Sequence, residues 1–222
     1  TRKYLERAFL FRDGIPGVGS GDLTIFATNN AINADPNTYQ WGAGSSPPKD
    51  EIQNCFVHFA EKENLAGKKD VWMYFAGDRL ATNGNAYIDF EFLQKELTMN
   101  PDGTFTSSVE PSDPNHPDYQ GGRTEGDVLL TVSFGNGGSA SEFVIYRWEE
   151  QNGVFQYVAQ PSELYNNGVQ NVFAAVSGEG QTSIPYDAFG KNYYVQNQFA
   201  EGAANLTQIF TANDDACTFI ST

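Results

Sequence analysis

Apolar and polar residues alternate along much of this chain, most sharply in "AYIDFEFL" at 86–93. A period of two sends successive side chains to opposite faces of a strand. Ile88, Phe90 and Phe92 therefore share one face, and Asp89 and Glu91 share the other. Stretches with similar β-branched and aromatic content recur at 22–28, 71–76, 127–134, 142–149, 154–160, 169–176 and 216–222. Turn pairs punctuate them: Asn83-Gly84, Asp102-Gly103, Asn136-Gly137 and Asn152-Gly153. The last lies within "YRWEEQNGVFQYV", which reads as a hairpin because Asn-Gly supplies the positive φ angles of a tight turn.

One stretch departs from this period. In "PPKDEIQNCFVHFAEKEN" (47–64), Ile52, Cys55, Phe56 and Phe59 fall at helical spacing behind a Pro-Pro entrance and early acidic residues. The pattern predicts a helix there, and a second short one within 198–210. Segment 100–123 is polar, rich in Pro and Gly and nearly free of aliphatics, which predicts a long surface loop. Many strands, few helices and no regular βαβ alternation predict an all-β fold, an antiparallel β-sandwich in one domain over 1–222.

Composition narrows the partners. Thirteen Lys and Arg against 28 Asp and Glu leave a formal charge of −15, which repels nucleic acid and anionic membrane surfaces. No apolar run approaches the ~18 residues of a membrane helix, so no membrane insertion is expected. "TRKYLERAFLF" has no sustained apolar region or cleavage site, so it does not read as a signal peptide, and the numbering reads as starting inside a longer precursor. Low Lys with abundant Asn, Gly, Tyr and Thr points to an extracellular protein. Cys55 and Cys217 suit one disulfide, two free thiols, or a bond to a partner beyond the chain.

The candidate chemistry is sparse. Asp89 and Glu91, as carboxylates at alternate strand positions, have the geometry of a retaining glycosidase pair. The fuller Glu-x-Asp-x-x-Glu pattern is missing, because position 87 is Tyr and position 94 is Gln. The Arg-Thr-Glu run at 123–125 lacks the second Arg of an alginate-lyase strand. Only His58 and His116 are available for a His-dependent triad, and there is no Gly-x-Ser-x-Gly elbow. The expectation is therefore no catalytic residue and an acidic strand face that is structural. Asp78, Asn83, Asn85 and Asp89 supply oxygen donors around a tight turn, and the ion such donors suit is Ca²⁺. Tyr39, Trp41 and Tyr119 are the candidates for stacking on sugar faces.

Taken in order, several segments resemble a domain of large secreted bacterial surface proteins. They are "SPPKDEI", "MYFAGDRLATNGNAYIDFEFLQ", "EGDVLLTVSFGNGG" followed by "VIYRWE", and "NQFAEGAANLTQIF" before "ACTFIST". The resemblance covers about residues 20 to 222 and implies a concanavalin-like or jelly-roll sandwich at the cell surface. It also implies a monomeric, adhesin-like module within a multidomain chain, with an extracellular glycan or a surface protein as partner. It carries over no catalytic site. Arg79 is expected to fix the turn by pairing with Asp78 or Asp89. The alternatives are a glycan-active hydrolase or lyase using Asp89 and Glu91, and a purely structural spacer.

Overall fold

The computed structural model describes residues 7–14, 23–27, 32–160 and 171–210. Its strands in chain order are β1 (Ala8–Arg12), β2 (Thr24–Phe26), β3 (Trp41–Ala43), β4 (Asn54–Glu63) and β5 (Lys69–Asp78). They continue with β6 (Ala86–Phe92), β7 (Leu97–Met99), β8 (Phe105–Ser107), β9 (Val128–Gly135) and β10 (Ala140–Gln151). The last are β11 (Val154–Ala159), β12 (Val172–Val176), β13 (Gln181–Ala188), β14 (Lys191–Val195) and β15 (Phe199–Asn205), before a short helix α1 (Leu206–Phe210). Every named pairing is antiparallel. Among the described residues no helix is long and apolar enough to cross a membrane.

Two sheets form the sandwich. One has the order β1-β4-β5-β15-β12, the other β11-β10-β9-β6. Met73, Phe75, Ala200 and Ala204 from the first meet Ile88, Phe90, Leu130, Val132, Phe134 and Ile145 from the second in one apolar cluster. Those residues recur at every second position of their strands, so the alternation in the sequence dictates which side of each sheet is buried. The β10–β11 hairpin turns at Asn152 and Gly153, with φ of 55° and 81°, as its Asn-Gly pair requires.

The expected helix over 47–64 is a strand instead. Cys55, Val57 and Phe59 pack against the core at a period of two, while Pro47, Pro48 and the residues after them form a turn. Phe56 created the false helical spacing. It lies on the outer face, where Tyr186 and Phe199 cover it with rings 5.3 and 6.2 Å away. The second expected helix divides into β15 and the five residues of α1. Within 100–123, the expected loop contains β8 and ends at the fully buried Arg123. The stretch 216–222 and Cys217 lie outside the described residues. Cys55 is half-buried, and burial pushes its thiol pKa up.

Arg79 pairs with neither Asp78 nor Asp89. Its guanidinium lies 3.7 Å above the Phe134 ring, and its Nε donates to the Asn197 carbonyl at 2.9 Å. Its Nη2 donates to the carbonyls of Thr82 and Gly138 at 3.3 and 3.4 Å. One fully buried cation thus ties the 79–84 turn to the loops at 138 and 197.

Candidate functional site

Asp89 and Glu91 project from β6 on the face opposite Ile88 and Phe90, as the alternation requires. They line a cleft of about 340 Å³ over the outer face of the four-stranded sheet, together with Phe26, Tyr39, Arg123 and Tyr157. Phe26 is 58% exposed and stacks on Phe105 with ring centroids 5.6 Å apart. It meets Tyr39 edge-on at 5.9 Å. The cleft therefore has an aromatic wall beside an acidic one.

Arg123 stands behind the acidic wall. Its side chain has no exposure, and its Nε donates to Glu91 Oε1 at 2.7 Å. Nη1 donates to the Ala34 carbonyl at 2.6 Å and Nη2 to the Tyr39 hydroxyl at 2.7 Å. The rings of Trp148, Tyr157 and Tyr39 surround the guanidinium at 4.7, 5.1 and 5.9 Å. Tyr157 donates its own hydroxyl to Glu91 Oε1 at 2.7 Å. Glu91 is thus held in one orientation by two donors on one oxygen. Burial works against the Arg123 charge, but Glu91 and the two phenols outweigh it and raise its pKa.

The loop that delivers Arg123 needs its two preceding glycines. Gly121 has φ of +71°, and a Cβ there would meet Trp148 Cζ2 at 2.8 Å. Gly122 also has φ of +71°, and a Cβ there would strike the Asp35 carboxylate. Only Gly lets the backbone run so close to both. Asp35 caps the next turn by accepting from Asn37 N at 2.8 Å and also accepts from the Tyr119 hydroxyl.

Among the three aromatic candidates, Tyr39 lines the cleft while Trp41 and Tyr119 do not. Tyr39 is almost wholly buried, and its hydroxyl is engaged by Arg123. The Trp41 indole donates to the Asn100 carbonyl at 2.8 Å and anchors β3 beside the β7–β8 hairpin. Phe26 is the exposed ring the sequence reading missed. Its signal was an apolar residue at the end of a short strand near a turn-rich stretch.

The four proposed cation donors do not converge. Asp78 faces outward from the five-stranded sheet and is fully buried. It accepts from Gln53 N, Asn54 N, Asn54 Nδ2 and the Tyr194 hydroxyl at 2.9, 2.8, 2.6 and 2.7 Å. Asp89 lies on the outer face of the other sheet, across the core. Asn85 Oδ1 accepts from Gly137 N at 2.8 Å, and Asn83 is exposed. Among the described residues no group of three or more His, Cys, Asp and Glu side chains is placed to hold a metal ion.

Two carboxyls near Glu91 have raised pKa values. Asp89 counts as exposed over the residue as a whole, yet the cleft walls desolvate its carboxyl and the Glu91 charge adds to the rise. Asp127, fully buried, is pushed up to about 6 by desolvation, although Thr124 N and Gln94 N each donate to it at 2.9 Å. A folded pKa above the unfolded one means that the native state binds more protons, so stability rises as pH falls through this range. Going from about pH 7.5 to about pH 4.5 should add about 2 kcal/mol through Asp127. Asp127→Asn should remove that share of the rise in urea midpoint. A midpoint that climbs equally in both proteins would place the effect in other groups.

No protein-family model matches this chain, and neither a curated protein nor a solved structure matches it.

Proposed function

We propose that this chain is a non-catalytic, extracellular module of a bacterial cell-surface adhesin that binds a neutral glycan in the Asp89–Glu91 cleft. The observation that carries the reading is the pairing of two strand-borne carboxylates with the exposed Phe26 in one open cleft. Carboxylate oxygens accept from sugar hydroxyls, and a flat ring covers the apolar face of a pyranose. Arg123 reaches the cleft lining with no exposed side-chain surface, and its Nε is committed to Glu91, so its role is to position that carboxylate. The cell-surface setting rests on the segment resemblance described above and on the acidic, lysine-poor composition.

The test is a glycan array probed with the purified chain and with Phe26→Ala and Asp89→Asn, which leave the Arg123–Glu91 pair in place. Each variant should weaken binding to the retained glycan by about tenfold or more, the order of one lost stacking ring or one lost charge-assisted hydrogen bond. No retained glycan would reduce the chain to a spacer.

A second reading has one observation of its own. Asp89, with a carboxyl pKa raised by burial, stands two residues from Glu91 on one face of β6, and two carboxyls flanking one cleft, one of them kept protonated more readily, are the elements of an acid and a nucleophile in glycoside hydrolysis. Release of reducing sugar by the native chain, lost in Asp89→Asn, would replace the binding module with an enzyme.

A further inference from the structure

The outer face of the five-stranded sheet carries a trough remote from the cleft. Met73, Phe75, Ala200 and Ala204 point into the core, so Tyr74, Ala76, Glu201 and Ala203 point outward. The register sets Ala203 between Tyr74 and Phe173, and Glu201 between Ala76 and Ala175. Small side chains thus form a floor, with rings around it. The space measures about 680 Å³, and Tyr74 and Phe173 remain 40% and 47% exposed.

The charge pattern is equally specific. Among the described residues no Lys, Arg or Asp lines the trough, Glu201 is its single carboxylate, and its one imidazole, His58, is turned to the Arg7 carbonyl through Nδ1 at 2.9 Å. Among the described residues Glu201 has no ion-pair partner. Of the cations on the flanking strands β1 and β4, Arg12 pairs with Asp187 at 3.3 Å and Lys62 lies over the Trp72 ring at 5.9 Å. Burial raises the Tyr186 phenol, and the charges of Asp78 and Glu201 add to the rise, so carboxylate and ring share one environment.

We propose that this trough binds a compact organic cation, an alkylammonium group with an apolar body. Aromatic faces attract such a cation through their quadrupoles, and Glu201 supplies the counter-charge. A neutral apolar ligand would bury Glu201 without a partner, which costs free energy. An anion would meet both Glu201 and the chain's net charge of −15, which instead concentrates cations at the surface. A second copy of the chain, seated face to face about a two-fold axis, would bring like carboxylates together. The inference is independent of the glycan cleft, which lies over the outer face of the other sheet.

The experiment is a titration of the whole chain with choline chloride at constant ionic strength, followed by tyrosine and tryptophan fluorescence. The comparison ligand is 3,3-dimethyl-1-butanol, which has the same shape without the charge. Choline should bind saturably, with the neutral isostere weaker by about tenfold or more, the usual range for a cation on aromatic faces. Glu201→Gln should weaken choline by a similar factor, Phe173→Ala should weaken it too, and Asp89→Asn should leave it unchanged. Glu201 is exposed, so an unaltered melting temperature will verify that Glu201→Gln is folded. Equal binding of the two ligands, or choline binding indifferent to Glu201→Gln, would overturn the proposal. So would the absence of saturation by about 100 mM choline, an affinity below any specific site of this kind. Concentration-dependent dimerisation strengthened by Glu201→Gln would assign the trough to a second copy and equally end the idea.

Discussion

Arg123→Ala should destabilise the fold by about 3–5 kcal/mol, the usual cost of removing one partner from a buried ion pair. The substitution strands Glu91, leaves the Ala34 carbonyl and Tyr39 hydroxyl without their donor, and empties the space between Trp148, Tyr157 and Tyr39. Lysine should not rescue it, because an ammonium cannot present three donors in the planar fork that Glu91, Ala34 and Tyr39 require. Urea unfolding measures the loss. The informative control is Arg123→Met combined with Glu91→Gln, which removes both charges while keeping much of the volume. That double variant should recover part of the loss, since it leaves no unpaired carboxylate and keeps much of the packing volume, although the Ala34 carbonyl and Tyr39 hydroxyl still lack their donor. If the double variant is no better than Arg123→Ala, packing within the aromatic box carries the stability and the ion pair does not.

Asp78→Ala should be of similar size, about 3–5 kcal/mol, for a different reason. Four donors converge on that carboxylate, and each buried donor left without an acceptor costs about 1–3 kcal/mol. Local rearrangement and water will recover part of the sum. Tyr194→Phe removes a single donor and should cost only about 1 kcal/mol. The site also holds the β13–β14 hairpin against the sheet, through Tyr194 and through Asn54 Nδ2 donating to the Asp187 carbonyl at 3.2 Å. Amide hydrogen exchange in 181–195 should therefore accelerate in Asp78→Ala more than exchange in β9. Uniform acceleration across the chain would mean that Asp78 supports the whole sandwich rather than the hairpin.

These two residues mark where the sequence stops being readable. The strand at 86–92 and the common face of Asp89 and Glu91 follow from alternation, because burial on one side of a sheet enforces a period of two. The turn at Asn152-Gly153 follows from backbone sterics alone. Arg123 follows from neither. It sits in a polar segment, and its partners Glu91 and Tyr39 are 32 and 84 positions away, brought near only by strand order and register. The one local hint was the Gly121-Gly122 pair ahead of it, a sign that the backbone must pass close to something bulky. Asp78 misled in a similar way. Its position beside a tight turn suggested a cation, whereas the protons it accepts come from β4 and β14, and β4 itself was hidden by the helical spacing of Phe56. An apolar residue on the outer face is legible only when the element that covers it is known.

The place of β15 has a consequence for how the chain reaches this fold. The last described strand lies inside its sheet, between β5 and β12, with Phe199 opposite Asp78. Roughly 120 residues separate those partners, a stretch that takes on the order of ten seconds to synthesise. During that interval β5 waits with one open edge of unpaired backbone N–H and C=O groups. Pairings of such long sequence separation form late and slowly. A nascent chain is therefore exposed to mispairing until Asn205 has emerged, and any recombinant fragment that ends before that residue should aggregate rather than fold.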